Sequence, residues 1–147
     1  MSRNDLTQIL GGVEIDRLAE LADRIARDSR VEVTKPASTS LVMVGVRESV
    51  QQVPFYLGEI LISQCVVTVD GAVGYGFAMG EDLERAYCIA VLEAGLSGRH
   101  RLAPVVTEFL AQQTDRQKTE HRRDYGAILQ TRVRFESMEE VSDATDN

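Results

Sequence analysis

The chain has 147 residues, 44% hydrophobic, with a formal net charge of -7. That length suits one domain able to bury about two thirds of its unfolded surface without disulfide or metal staples. The acidic balance argues against general nucleic-acid binding, which needs a clustered surplus of Lys and Arg, and leaves only a local basic patch at Arg116, Lys118, Arg122 and Arg123 to face an anion.

From the N-terminus, Leu6, Ile9 and Leu10 make a short helical stripe broken by Gly11-Gly12, and Leu18, Leu21, Ala22 and Ile25 make a second. Two helices with a break between them are expected. Glu20 with Arg24 and Asp23 with Arg27 stand four apart and solvate the outer face of the second. Val31 to Thr34 reads as a short strand ended by Lys35-Pro36, because proline has no amide hydrogen and restricts the residue before it. A turn over 37–40 should follow, then a second strand from Leu41 to Val46 so apolar that both faces should be covered. A loop over 49–54 leads through Phe55-Tyr-Leu-Gly-Glu59 into a long strand from Ile60 to Val69, with Gly58 placed for a bulge or bend.

Asp70-Gly71 between alternating apolar runs is a hairpin signal, pairing Val69 with Ala72, Val67 with Gly74 and Cys65 with Gly76. Alternation puts Ala72, Gly74, Gly76, Ala78 and Gly80 on one face and Val73, Tyr75, Phe77 and Met79 on the other. Glycine within a strand costs entropy and is kept where another backbone or a ligand must come close. The chain supplies a candidate neighbour: Asp82 to Leu96 reads as a helix with Ala86, Ala90 and Ala94 on one ridge, opened by acidic residues and stopped at Ser97-Gly98. It is apolar all round from Tyr87 to Leu92, as a buried helix would be.

After a connector, Pro104 suits the first turn of another helix carrying Val105, Phe109 and Leu110. Its apolar stripe fades from Gln112 to Asp124. Thr131, Val133 and Phe135 alternate with Arg132 and Arg134, which suggests a last strand with one oily and one basic face. The expected fold is α+β: a mainly antiparallel sheet of about four to six strands, with the central Asp-Gly hairpin and packed helices. A single domain over 1–135 and an acidic, disordered tail over 136–147 complete the organisation.

Chemistry is sparse. Gly74 to Gly80 lacks the spacing of a dinucleotide-binding loop, and Glu81, Asp82 and Glu84 place negative charge where an anion would sit at the next helix. His100 between Arg99 and Arg101 is a weak anion-contact candidate, and His121 a solvated one. No serine, cysteine or carboxylate pair has the spacing of a nucleophile or acid-base couple, so no catalytic residue is assigned. Cys65 and Cys88 lie on separate apolar elements and no Cys or His stands at metal-ligand spacing, which points to buried free thiols in a reducing compartment and to no metal. No apolar run nears the roughly 18 residues of a membrane span and MSRNDL has no apolar leader core, so a cytoplasmic location is expected.

The order of features carries further. A split N-terminal helix, Leu41-Val-Met-Val-Gly-Val-Arg47, Phe55-Tyr-Leu-Gly-Glu59, Val67-Thr-Val-Asp-Gly71, Val73-Gly-Tyr75, Gly80-Glu-Asp82 before an alanine-ridged helix, and Thr131-Arg-Val-Arg-Phe135 together resemble the PhnG family, the small G subunit of the carbon-phosphorus lyase system. The resemblance implies a non-catalytic subunit of a transferase complex, with H, I and J subunits as partners, that couples a phosphonate to the ribose of ATP with loss of adenine. The product is a ribose 1-phosphonate 5-triphosphate. ATP is then used by the complex, with no cofactor on this chain, and the nucleoside chemistry falls to the I subunit. The pattern departs from the family at Gln64, Glu81, Glu93 and Glu136, where a basic residue, arginine, aspartate and an aromatic would be expected. Amphipathic exposure nominates Tyr75, Phe77, Arg132, Arg134 and Phe135 as subunit contacts. Two alternatives stay open: a homo-oligomer of the isolated chain, and a self-contained small-molecule or nucleotide-binding domain that uses the glycine face as a pocket floor, with Cys65 or His100.

Overall fold

The computed structural model describes residues 3–47 and 50–123. Two compact units divide the chain at residues 1–111 and 112–147. In the first, helices α1 (Arg3–Gly11) and α2 (Ile15–Arg27) precede strands β1 (Val31–Arg47), β2 (Pro54–Val69) and β3 (Ala72–Met79), then helix α3 (Leu83–Ser97). A fourth helix, α4, begins at residue 103 and closes this unit. In the second, residues 112–123 are helical and carry the expected polar faces. The expected strand around Thr131 to Phe135 and the acidic tail lie outside the described residues.

The fold class is α+β. The described strands form one antiparallel sheet in the order β1-β2-β3. β2 and β3 join through Asp70 and Gly71, both at positive φ, with Val69 opposite Ala72, Val67 opposite Gly74 and Cys65 opposite Gly76. Asp70 also accepts a hydrogen bond from the Arg30 amide at 2.8 Å, which ties the start of β1 to this turn.

The interruption expected at Lys35-Pro36 does not end the strand. β1 runs on as one 17-residue strand. Two register shifts against β2, between Val33 and Lys35 and between Lys35 and Ser38, take up the proline. Bulges drop residues from the ladder, so a residue with no amide hydrogen can sit in a strand without leaving a broken bond. A third irregularity, between Val44 and Gly45, leaves Leu57 without a register partner beside Gly58, where a bulge was expected.

The first unit is layered as sheet, then α3, then α1 and α2. Helix α3 is central, which is why its middle is apolar on every side: Ile89, Ala90, Val91, Leu92 and Ala94 are all buried. The glycine face of β3 lies against its alanine ridge at backbone distance. A Cβ on Gly74 would stand 2.0 Å from the Ala90 carbonyl oxygen, and one on Gly76 would stand 1.8 Å from that of Ala86. On the far side, Gly95 lets Ile25 of α2 approach. Leu6, Ile9, Leu10, Leu18, Ala22 and Ile25 fill the outer layer from the two stripes visible in the sequence. In α4 the inward residues are Val106 and Leu110, while Val105 turns outward.

Two polar devices hold the corners. Ser63, 0% exposed, donates to the Gly80 carbonyl at 2.7 Å and accepts from the Asp82 amide at 2.9 Å, fixing the turn from β3 into α3. Asp82 caps the helix by accepting from the Arg85 amide. The Arg85 side chain binds the Asp82 carboxylate at 2.8 Å and donates to the carbonyls of Leu10, which also accepts from the Val13 amide, and of Val13, in the break between α1 and α2.

Candidate interaction surface

The glycine face cannot floor a pocket, because α3 backbone occupies it. That removes the reading of this face as a ligand site. On the opposite face of the sheet no described element of the first unit packs. Val73 and Met79 are exposed there, with Tyr75 and Phe77 half-buried beside them.

Tyr75 is held in place from two directions. Its amide donates at 2.8 Å to the carboxylate of Glu93, which is 6% exposed on α3, and the second oxygen of that carboxylate takes the Arg3 side chain at 2.8 Å. The Arg3 guanidinium in turn lies 4.2 Å from the centre of the Tyr75 ring. Glu93 thus satisfies a backbone donor on β3 and anchors a cation over an aromatic face. Its hydrogen bond, then its charge, raise the pKa of Arg3 above the ordinary guanidinium value. A cavity of roughly 400 Å³ borders this group, lined by Leu6, Leu96, Thr107 and Leu110. Arg3 was not singled out from sequence, and Glu93 only as a departure from the family pattern; the available signal for its role was one carboxylate interrupting an apolar helix.

Beyond Met79, which pairs with Ile62, β3 ends while β1 and β2 continue as a two-stranded ribbon. Its side chains are far more open than the apolar run Leu41 to Val46 suggested. Leu41 is 63% exposed and Val42 43%, so the ribbon is uncovered on both faces rather than buried between layers. Pairing places Leu41 with Leu61 and Val42 with Ile60, and the Tyr56 ring lies over Gly45.

The other candidates have structural duties. His100 accepts from the Leu102 amide through Nδ1 at 3.1 Å, and its carbonyl accepts from the Ala103 amide, so it shapes the entry to α4. Arg101 pairs with Asp28. Cys65 and Cys88 are buried and free. Burial pushes the Cys65 thiol up, and burial, then the charges of Glu84 and Asp23, push Cys88 up to about 11. Both are therefore protonated and poorly nucleophilic near neutrality. Among the described residues no group of His, Cys, Asp or Glu is placed to hold a metal, and no helix is long and apolar enough to cross a membrane. Of the nominated contacts, Tyr75 and Phe77 share the open face, while Arg132, Arg134 and Phe135 lie outside the described residues.

The profile of the phosphonate metabolism protein PhnG matches residues 1–140. The chain belongs to the PhnG family. Family membership assigns it a role in phosphonate metabolism. Among curated proteins no significant match is found. In this PhnG chain the matched region takes in every described element together with the segment that carries Arg132, Arg134 and Phe135.

Proposed function

We propose that this chain is the non-catalytic G subunit of a carbon-phosphorus lyase core complex in the cytoplasm, joined to H, I and J subunits. The complex would form a ribose 1-phosphonate 5-triphosphate from ATP and a phosphonate, releasing adenine, with the nucleoside chemistry on the I subunit. The observation that carries this reading is the apolar sheet surface that no described element of the first unit covers, in a chain of the PhnG family. A folded subunit with an apolar open face is built to be completed by another chain. Tyr75 and Phe77 are proposed as contacts on that face, and Arg132, Arg134 and Phe135 as contacts from the C-terminal segment.

The test is reconstitution. The tagged chain, co-expressed with the H, I and J subunits, should co-purify with them, and the assembly should release adenine from ATP in the presence of methylphosphonate. Omitting this chain should abolish release. Full adenine release without it, or tight ATP binding by the purified chain alone, would overturn the proposal.

A further inference from the structure

The distal ribbon, residues 41–47 of β1 with 54–61 of β2, is out of balance as an isolated element. Two strands alone are marginal in water, and nothing on β3 reaches past Ile62. Yet its exposed side chains are the large apolar ones: Leu41, Met43 and Tyr56 towards the α3 side, Val42 and Phe55 towards the open face, and Leu57 at the bulge, 66% exposed. Summed over both faces, and with Val50 and Val53 in the connection between the strands, their exposed surface is on the order of one partner's share of a standard interface. That share is about 800 Å².

From this we infer that the ribbon is the docking arm of the subunit, seated in an apolar cleft of an unlike chain of the proposed complex. The choice of occupant follows from the two-sided exposure. Adjacent residues of a strand point to opposite faces, and Leu41 and Val42 are both open. A second copy laid flat on the ribbon covers one face and leaves the other wet. A cleft covers both, and buries enough area for a stable complex. The bulge at Leu57 sets this side chain apart from the ladder, so it is the arm's own anchor residue. This inference rests on the complex proposed above.

The experiment uses the co-expressed assembly and the full chain. Leu57→Asp and Leu41→Asp place a charge where the side chain is already exposed in the free chain, so the melting temperature of the isolated variants should stay near wild type. Recovery with the H, I and J subunits should fall at least tenfold. Independently of any substitution, amides of 41–47 and 54–61 in the wild-type chain should exchange hydrogen at least tenfold more slowly in the complex than alone. If wild type and both variants are recovered equally, or the ribbon amides exchange alike in both states, the docking arm is wrong while the complex stands. If wild-type chain is not recovered with these subunits at all, the complex itself is wrong and the arm falls with it. A wild-type dimer by light scattering that the Asp variants dissociate would assign the ribbon to a second copy and overturn the inference.

Discussion

The backbone of Gly76 lies so close to Ala86 that a Cβ on the glycine would stand 1.8 Å from the Ala86 carbonyl oxygen. The obstructing atoms are helix backbone, which cannot turn aside as a flexible side chain can. Gly76→Ala should therefore cost at or above the top of the roughly 1–3 kcal/mol typical of overpacking, and Gly74→Ala should behave alike. Ala90→Leu attacks the same contact from the helix. Urea denaturation measures all three; a Gly76→Ala midpoint equal to wild type would show that sheet and helix are not in contact there.

Glu93 and Arg3 form an unequal pair. Glu93 is buried and also accepts the Tyr75 amide, whereas the Arg3 side chain is half exposed. Glu93→Ala strands a backbone donor and should cost about 1–3 kcal/mol, while Glu93→Gln keeps an acceptor and should recover part of that loss. Arg3→Ala leaves the Tyr75 hydrogen bond intact and should cost less than Glu93→Ala, because an exposed partner is screened by water. Thermal melts of the three variants give the ranking. An Arg3→Ala loss as large as that of Glu93→Ala would place the importance in the ion pair instead of the amide.

Helix α3 ends against the usual expectation for its glycine. Gly98 has an ordinary φ of -83°, and Arg99 takes the left-handed position with φ 53°. The Arg99 amide donates to Leu96 and the His100 amide to Gly95, the pattern of a Schellman cap. Gly98 is needed for room, since a Cβ there would be 2.8 Å from that of Ala72. Arg99→Gly relieves a left-handed conformation that costs about 1–2 kcal/mol, less the entropy that glycine loses. A gain of about 0.5–1 kcal/mol and a melting temperature a few degrees higher are expected. Gly98→Ala should lower it. The opposite pair of signs in calorimetry would return the cap to Gly98.

Legibility in the sequence followed the range of the interactions. The glycine face, the alanine ridge and the two N-terminal stripes could be read because each is a period within one segment. The strand break expected at Pro36 failed because two bulges accommodate the proline, and bulges depend on the partner strand. The stripe expected through Val105 runs instead through Val106, because the phase of a short stripe is ambiguous by one residue. The roles of Ser63, Arg85 and Glu93 were invisible for a different reason: each bonds a residue at least 17 positions away, apart from the local Arg85–Asp82 pair, and one polar residue among apolar ones does not name its partner. The run Leu41 to Val46 was rightly read as apolar and wrongly as covered, since composition specifies what a strand can bury but not whether this chain supplies the cover.

The Cys88 thiol offers a test of the core through pH. Burial, then the nearby charges of Glu84 and Asp23, raise it from 9.0 to about 11 in the folded chain, and burial also raises Cys65 and Tyr87. Between those two values the unfolded chain has lost the Cys88 proton and the folded chain has kept it, so the unfolded state binds fewer protons and stability falls with rising pH. The stabilisation is whole below pH 9 and is lost as pH rises towards 11, by about 2–3 kcal/mol for a shift of this size. Denaturant midpoints of wild type and Cys88→Ala, compared from pH 8 to pH 10.5, isolate the effect, because packing lost in the variant moves its curve without changing the slope. Wild type should fall more steeply. Parallel curves would mean that the thiol is not in the dry layer between α3 and its neighbours.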